Sequence, residues 1–183
     1  MILDTLKHHS FCLIRHGETV ANRDGIIAGR LDVALTDFGR DQARALQRSD
    51  WPESMSLFCS PKERAKESCL LAFPGKDPEL VAGLVERDWG IFEGRPLAEL
   101  PTRELQPEAG EAWQDFLDRV GNALVYCCAA ADGAIPIMVC HSGVVRAARI
   151  LTGQPTVGSR APNAKPILFR WTGDHHAEES FHP

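Results

Sequence analysis

Residues 11–22 read FCLIRHGETVAN: a short apolar run, then an arginine and a histidine side by side, then glycine. Phe11-Cys12-Leu13-Ile14 has the length and continuity of a core strand. Strand ends commonly lead into Gly, Asn, Asp or Pro, whereas this one exits through Arg15-His16-Gly17-Glu18. Such an exit is either solvated and surface-accessible or the start of an anion site with a nucleophile in it. The rest of the chain has to choose between the two.

Outward from that strand, short apolar runs alternate with longer amphipathic ones. This is the pattern of an α/β sandwich with a largely parallel sheet. Strands are predicted at 10–15, 55–59, 79–82, 134–140 and 165–171, and helices at 36–49, 61–73, 110–132 and 143–152. Ser60-Pro61-Lys62-Glu63 reads as a capping box with proline at the first helical position, and Gly153 is placed to end the last helix. In open α/β sheets ligands lie beyond the carboxyl ends of the strands. Three predicted strands end there on chemically suggestive residues: Ile14 runs into Arg15-His16, Cys59 into SPKER, and Cys140 into HSGVVR. Their convergence argues against the solvated exit.

The 183 residues suit one domain spanning 1–183. A net charge of −5 disfavours nucleic acid or an anionic membrane as partner, so an anionic ligand would need a local Arg/His cluster. No apolar run approaches the roughly 18–20 residues of a membrane span, and MILDTLKHHSF lacks the marks of a secretory signal. Cys12, Cys59, Cys69, Cys127, Cys128 and Cys140 show no zinc-type spacing; buried free thiols in a reducing cytoplasm fit them. The oligomeric state is not legible.

Four residues invite chemistry. His16 follows Arg15, and Gly17 would let the backbone turn sharply beside it. The other histidines away from strand ends (His8, His9, His175, His176, His182) are bland. Arg64, in the first helical turn after Pro61, would lean back toward the strand edge; the alternative is a surface ion pair with Glu67. His141 stands between a buried strand and a helix N-terminus, where free N–H groups meet anions; Ser142 opens that helix. Glu86, in LVERDWGIFEGR, competes with Asp88 and Glu93 for any acid role.

In order, RHGET with Asn22, LTDFGRDQA, CSPKERA, LVERDWGIFEG and VCHSGVVRA resemble the motifs of the histidine phosphatase superfamily, in its phosphoglycerate-mutase-like branch. The likeness runs from about Phe11 to Gly153, and small phosphatases such as alpha-ribazole phosphatase are the members most similar in kind. The resemblance implies a three-layer α/β/α sandwich with a mostly parallel central sheet. It also implies that His16 is the phosphorylated nucleophile, that Arg15, Arg64 and His141 complete the phosphate pocket with Asn22 and Ser142 beside it, and that Glu86 is the proton donor. Metal and cofactor are absent from that scheme, and the partner is a small phosphorylated metabolite.

The residue types suit the task. Phosphate monoesters hydrolyse very slowly unaided, so the site must stabilise charge on the transferring oxygens, which planar arginine donors do without a metal. Positive neighbours disfavour a protonated His16 and keep a ring nitrogen free. Two departures separate the chain from the mutases it resembles: 96–108 is short and acidic where they carry a longer basic insert, and ERDWGIFEGR lacks their aromatic and lysine pattern. Both favour transfer to water over a mutase-type phosphotransferase. A non-catalytic phospho-ligand module is a further alternative. So is a cysteine phosphatase, since Cys140 and Arg146 have Cys-x5-Arg spacing. Leaving-group contacts are expected from 22–32, 92–110 and the C-terminal segment.

Overall fold

The computed structural model describes residues 5–154 and 159–181; His182 lies outside them. The chain runs β1 (Phe11–Arg15), α1 (Val20–Arg23), α2 (Asp37–Ala45), β2 (Met55–Cys59), α3 (Glu63–Ala72), β3 (Glu79–Leu80), α4 (Trp113–Ala130), β4 (Ile135–Cys140), α5 (Ser142–Leu151), β5 (Pro166–Trp171) and β6 (His176–Ser180), with short 3-10 turns between.

Because successive strand residues face opposite sides, the apolar run of β1 serves two cores. Phe11 and Leu13 enter one cluster with residues of α4 and α5; Cys12 and Ile14 enter another with Ala65, Cys69 and Ala72 of α3. β4 divides the same way, Met138 and Cys140 to one side and Ile137 and Val139 to the other. Each fully buried large apolar side chain contributes about 1.5–3 kcal/mol, so both faces of these strands require a helical layer. The result is the three-layer sandwich.

The six strands lie in the order β3-β2-β4-β1-β5-β6. β3, β2, β4 and β1 are mutually parallel, and β5 and β6 are antiparallel additions at one side. Arg15 pairs with Cys140 and Cys59 with Val139, so the carboxyl ends of β2, β4 and β1 finish level. The ladder continues past them: His16 N–H donates to the Cys140 carbonyl (3.0 Å) and Ser60 N–H to that of Val139 (2.9 Å). The three motif-bearing strand ends are thus immediate neighbours.

Differences from the sequence reading have local causes. β6 escapes prediction because HAEES is an edge strand of which only His176 is buried. The strand predicted at 79–82 stops after Leu80, where a 3-10 turn at Ala82–Leu84 takes over. The helix predicted from 61 starts at Glu63 with Lys62 as an uncapped N-cap, so the Ser60 capping box does not form. Ser60 instead turns its hydroxyl to His141. Gly153 does end α5: at φ 75° it donates to the Ile150 carbonyl while Gln154 N–H reaches back to Arg149, a Schellman closure. All six cysteines are buried and unpaired. Among the described residues no helix is long and apolar enough to cross a membrane.

Candidate active site

His16 follows β1 directly and is only 5% exposed, so it is a buried group and not the surface-accessible strand end that the sequence suggested. Its Nδ1 lies 2.7 Å from the Gly17 carbonyl. A carbonyl can only accept, so Nδ1 carries the ring proton and Nε2 keeps its lone pair. Burial, then the guanidinium charges of Arg64 and Arg15, hold the ring well below the ordinary histidine range. The imidazole is therefore neutral with one nitrogen available.

Gly17 has a different role from the one its sequence context suggested. It is absent from the positive-φ residues; what it supplies is space, because a Cβ there would lie 2.2 Å from the Gly39 carbonyl oxygen. The loop packs backbone to backbone on the start of α2, and Gly17 N–H donates to Ser68 Oγ (2.9 Å). Ser68 in turn donates to the Arg64 carbonyl (2.7 Å), tying α3 to the residue after His16.

Arg64 is 2% exposed. Its Nη1 donates to the Leu31 carbonyl (2.7 Å) and its Nη2 to that of Gly29 (2.7 Å). The ion pair with Glu67 does not exist, since Glu67 holds Arg40 at 2.6 Å. The same loop is gripped from its amide side by Glu93, which accepts from Gly29, Arg30 and Leu31 as well as from Trp89. Asp88 accepts from Gly90 N–H (2.8 Å) and faces Arg30. Both rival carboxylates are thus committed to loop structure.

Arg15 is 4% exposed, donates Nη1 to the Ala161 carbonyl (2.7 Å), and is drawn down to about 10 chiefly by burial. His141, the N-cap residue of α5, is wholly buried and packs edge-on against His16 with ring centroids 5.2 Å apart. Its Nε2 lies 2.8 Å from Ser60 Oγ. Ser60 Oγ also accepts Lys62 N–H (3.4 Å); where its hydroxyl proton goes to Nε2, the His141 ring proton sits on Nδ1. Nδ1 and Arg15 Nε are the two buried side-chain atoms that find no partner among the described residues. Both belong to this cluster. Buried polar atoms left unpaired cost about 1–3 kcal/mol each, and a bound anion is the kind of partner that two buried N–H donors would accept.

Glu86 caps the arrangement. Its Oε2 accepts from Gly143 N–H, in the first turn of α5, and its Oε1 from Arg87 N–H, each at 2.9 Å. A Cβ on Gly143 would lie 2.0 Å from Oε1, so only glycine admits the carboxylate there. Beside Glu86 opens a cavity of about 400 Å3 that Ser142 also lines. Its lining includes 26–28, Leu97, 100–103 and Arg160, together with residues of α4 and α5 that the sequence reading did not place there. Asn22 forms a capping box with Thr19, and its Oδ1 accepts from Asn163, which also donates to the His16 carbonyl (2.9 Å). Its oxygen is therefore engaged in holding the loop around His16.

Sequence reasoning missed Ser60 as the partner of His141, Asn163 as the brace behind His16, and Arg87. Arg87 is 1% exposed, donates to the carbonyls of Arg103, Leu105 and Glu111 at 3.0 Å each, and lies 4.5 Å from the Trp89 ring centre. Only its place next to Glu86 could have singled it out. The cysteine reading does not survive: Cys140 is the last residue of a buried strand, burial pushes its thiol up, and helix α5 occupies the positions where a phosphate loop would lie.

Residues 11–177 match the profile of the histidine phosphatase superfamily, branch 1. The chain belongs to that superfamily. An acid phosphatase of Mycobacterium tuberculosis is 30% identical to this member over 156 residues, covering 78% of this chain and 74% of the relative. The adenosylcobalamin/alpha-ribazole phosphatase of Salmonella typhimurium is 30% identical, covering 76% and 78%. A crystal structure of phosphoglycerate mutase from Thermus thermophilus superposes with a TM-score of 0.75 at 29% identity, covering 94% of this chain and 99% of that one.

Proposed function

We propose that this superfamily member is a metal-independent phosphomonoesterase that hydrolyses a small phosphorylated metabolite through a phosphohistidine on His16. The carrying observation is the His16 ring itself: neutral, with Nδ1–H spent on Gly17 and Nε2 free, among buried arginines. Nε2 attacks phosphorus as the ester P–O bond breaks, and a protonated Glu86 delivers its proton to the departing alkoxide, releasing the alcohol. Water then attacks the phosphohistidine, Glu86 takes a proton from that water, the P–N bond breaks, and orthophosphate leaves a neutral His16.

Arg15, Arg64 and His141 Nδ1–H balance charge on the equatorial oxygens in this scheme, at about 2.7–4 kcal/mol of barrier for one such preorganised donor. Ser142 lines the adjoining cavity, and Asn22 acts by positioning the loop. The acid-rich segment 96–108 favours water over a second hydroxyl as acceptor. One domain, a phosphorylated small molecule as partner, and a cytoplasmic setting for six reduced, buried thiols complete the reading.

Acid-labile, alkali-stable phosphate trapped on the protein during turnover of para-nitrophenyl phosphate, and lost in His16→Ala, is the expected result. Turnover with no trapped species in rapid quench, or with His16→Ala still active, would overturn it. Transfer of the phosphoryl group to an added phosphoglycerate in preference to water would point to the mutase reading instead.

A further inference from the structure

The cavity beside Glu86 is lined by two kinds of side chain. Trp89, Trp113, Phe116, Leu97 and Leu100 supply apolar and largely aromatic lining, with the Arg87 guanidinium 4.5 and 5.3 Å from the two tryptophan ring centres; Arg103, Arg146 and Arg160 supply further cationic lining. Glu86 is the one acidic residue among those lining it. In a chain of net charge −5 such a grouping is a local reversal of sign. Elsewhere Arg23, Arg40, Arg44, Arg119, Arg149 and Arg170 each hold a carboxylate within about 3 Å. Among the described residues neither Arg103 nor Arg160 has such a carboxylate.

The arginines also act on one another. Arg146 is drawn below the ordinary arginine value first by burial and then by Arg103, Arg149 and Arg160. Arg103 is presented from a fixed base, because the buried Arg87 guanidinium holds its carbonyl at 3.0 Å. The phosphoryl group is already provided for by Arg15, Arg64 and His141. A 400 Å3 space falls within the range of ordinary ligand sites and is far more than a three-carbon alcohol fills.

We propose that this cavity is a leaving-group subsite for phosphate monoesters whose alcohol carries a flat, ring-sized apolar body and a second anionic group, with Arg103 and Arg160 as specificity-determining residues. The ring lies among the aromatic lining residues, and the second anion meets Arg103 and Arg160. The inference rests on the phosphomonoesterase reading above. It goes further by giving the class of alcohol released.

The test uses matched pairs: 4-(carboxymethyl)phenyl phosphate against its primary amide, and the homologues with two and three methylenes. Within each pair size and phenolate stability are the same, and only the charge differs. A charge-assisted contact is worth about ten- to a hundredfold, so at least one acid should exceed its amide in kcat/KM by about tenfold or more. That ratio should shrink with added salt, fall toward one in Arg103→Met and Arg160→Met, and recover in part in the corresponding lysine variants.

An acid-to-amide ratio near one for every pair, with both esters turned over, overturns this inference and leaves the phosphatase reading standing. Equal losses on acid and amide in the methionine variants would show that the arginines serve the phosphoryl group, and also overturn it. Failure to hydrolyse the amides, the acids and para-nitrophenyl phosphate alike removes the phosphatase reading itself, and this inference with it.

Discussion

Gly143→Ala tests Glu86 without touching it. The position is not a positive-φ site, so alanine suits the backbone and even improves helix propensity. The conflict is with the carboxylate: the new Cβ would lie 2.0 Å from Glu86 Oε1, where ordinary contact begins near 3.4 Å. The carboxylate must retreat by about 1.4 Å, the difference of those distances, and in doing so gives up the 2.9 Å bond from Gly143 N–H. Misplacement of a reacting group by about 1 Å costs roughly a hundredfold, and a general acid contributes about 10²–10⁴-fold. An alkyl phosphate, which needs a proton on its leaving oxygen, should therefore lose about a hundredfold in kcat/KM. Para-nitrophenyl phosphate, whose phenolate leaves almost unaided, should lose less than about tenfold. Stopped assays of released phosphate on both esters read the difference, with thermal melts to show an intact fold. In a Glu86→Ala background, where the carboxylate is gone and only Phe116 Cζ stands close at 3.2 Å, Gly143→Ala should cost little further activity. A loss below about threefold on the alkyl ester, or the full loss persisting beside Glu86→Ala, would refute the reasoning.

Glu86→Gln should reproduce the same leaving-group selectivity, whereas Glu93→Gln should weaken both esters together through the loop that seats Arg64; the reverse pattern would show the wrong carboxylate had been chosen. Activity should survive EDTA undiminished, and a loss restored by magnesium or zinc would contradict the arginine-based account. Arg87→Met should expose 101–111 to limited proteolysis and raise KM for ring-bearing esters more than it lowers kcat. An unchanged digestion pattern would mean the three carbonyl contacts do not hold that segment.

A fifth expectation concerns pH. His16 and His141 stay neutral in the folded chain because burial lowers both, while the unfolded chain protonates them below about 6.5. The unfolded state then binds more protons, so stability is fully present above pH 6.5 and falls as pH drops. Each ring accounts for about 1 kcal/mol of loss between pH 6.5 and 5.5. Urea midpoints of the ligand-free protein should show this decline, and His16→Gln should lack about half of the two-ring loss. Equal slopes in the two proteins would mean His16 is protonated in the native state.

The layered fold was legible because its cause is local. β1 and β4 are unbroken apolar runs flanked by amphipathic helices, and a strand apolar on both faces can only be satisfied between two helical layers. The motif residues Arg15, His16, Glu86 and His141 were legible as candidates for a related reason, each standing at a strand exit or in a loop, and Arg64 as a charge in the first turn of a helix that follows a strand exit. β6 was not legible, since an edge strand with one buried residue carries no alternation. Nor was the fate of Ser60, whose hydroxyl could serve either a helix cap or His141. Nothing in SPKE records the histidine 81 residues away that wins it.

What the sequence determined by itself, then, was the class of fold, which follows from local patterns, and, through the motifs that carry the family likeness, the candidates for the site. The tertiary structure alone decided which ring nitrogen of His16 is free, which carboxylate lies on the α5 terminus, why Gly17 and Gly143 must lack a side chain, and that Arg103, Arg146 and Arg160 share one cavity. Those are matters of distance between segments far apart in the chain. Hydrogen bonds, burial and Coulomb interactions act over a few ångströms of space, and no local pattern of residues encodes which distant backbone or charge will occupy them.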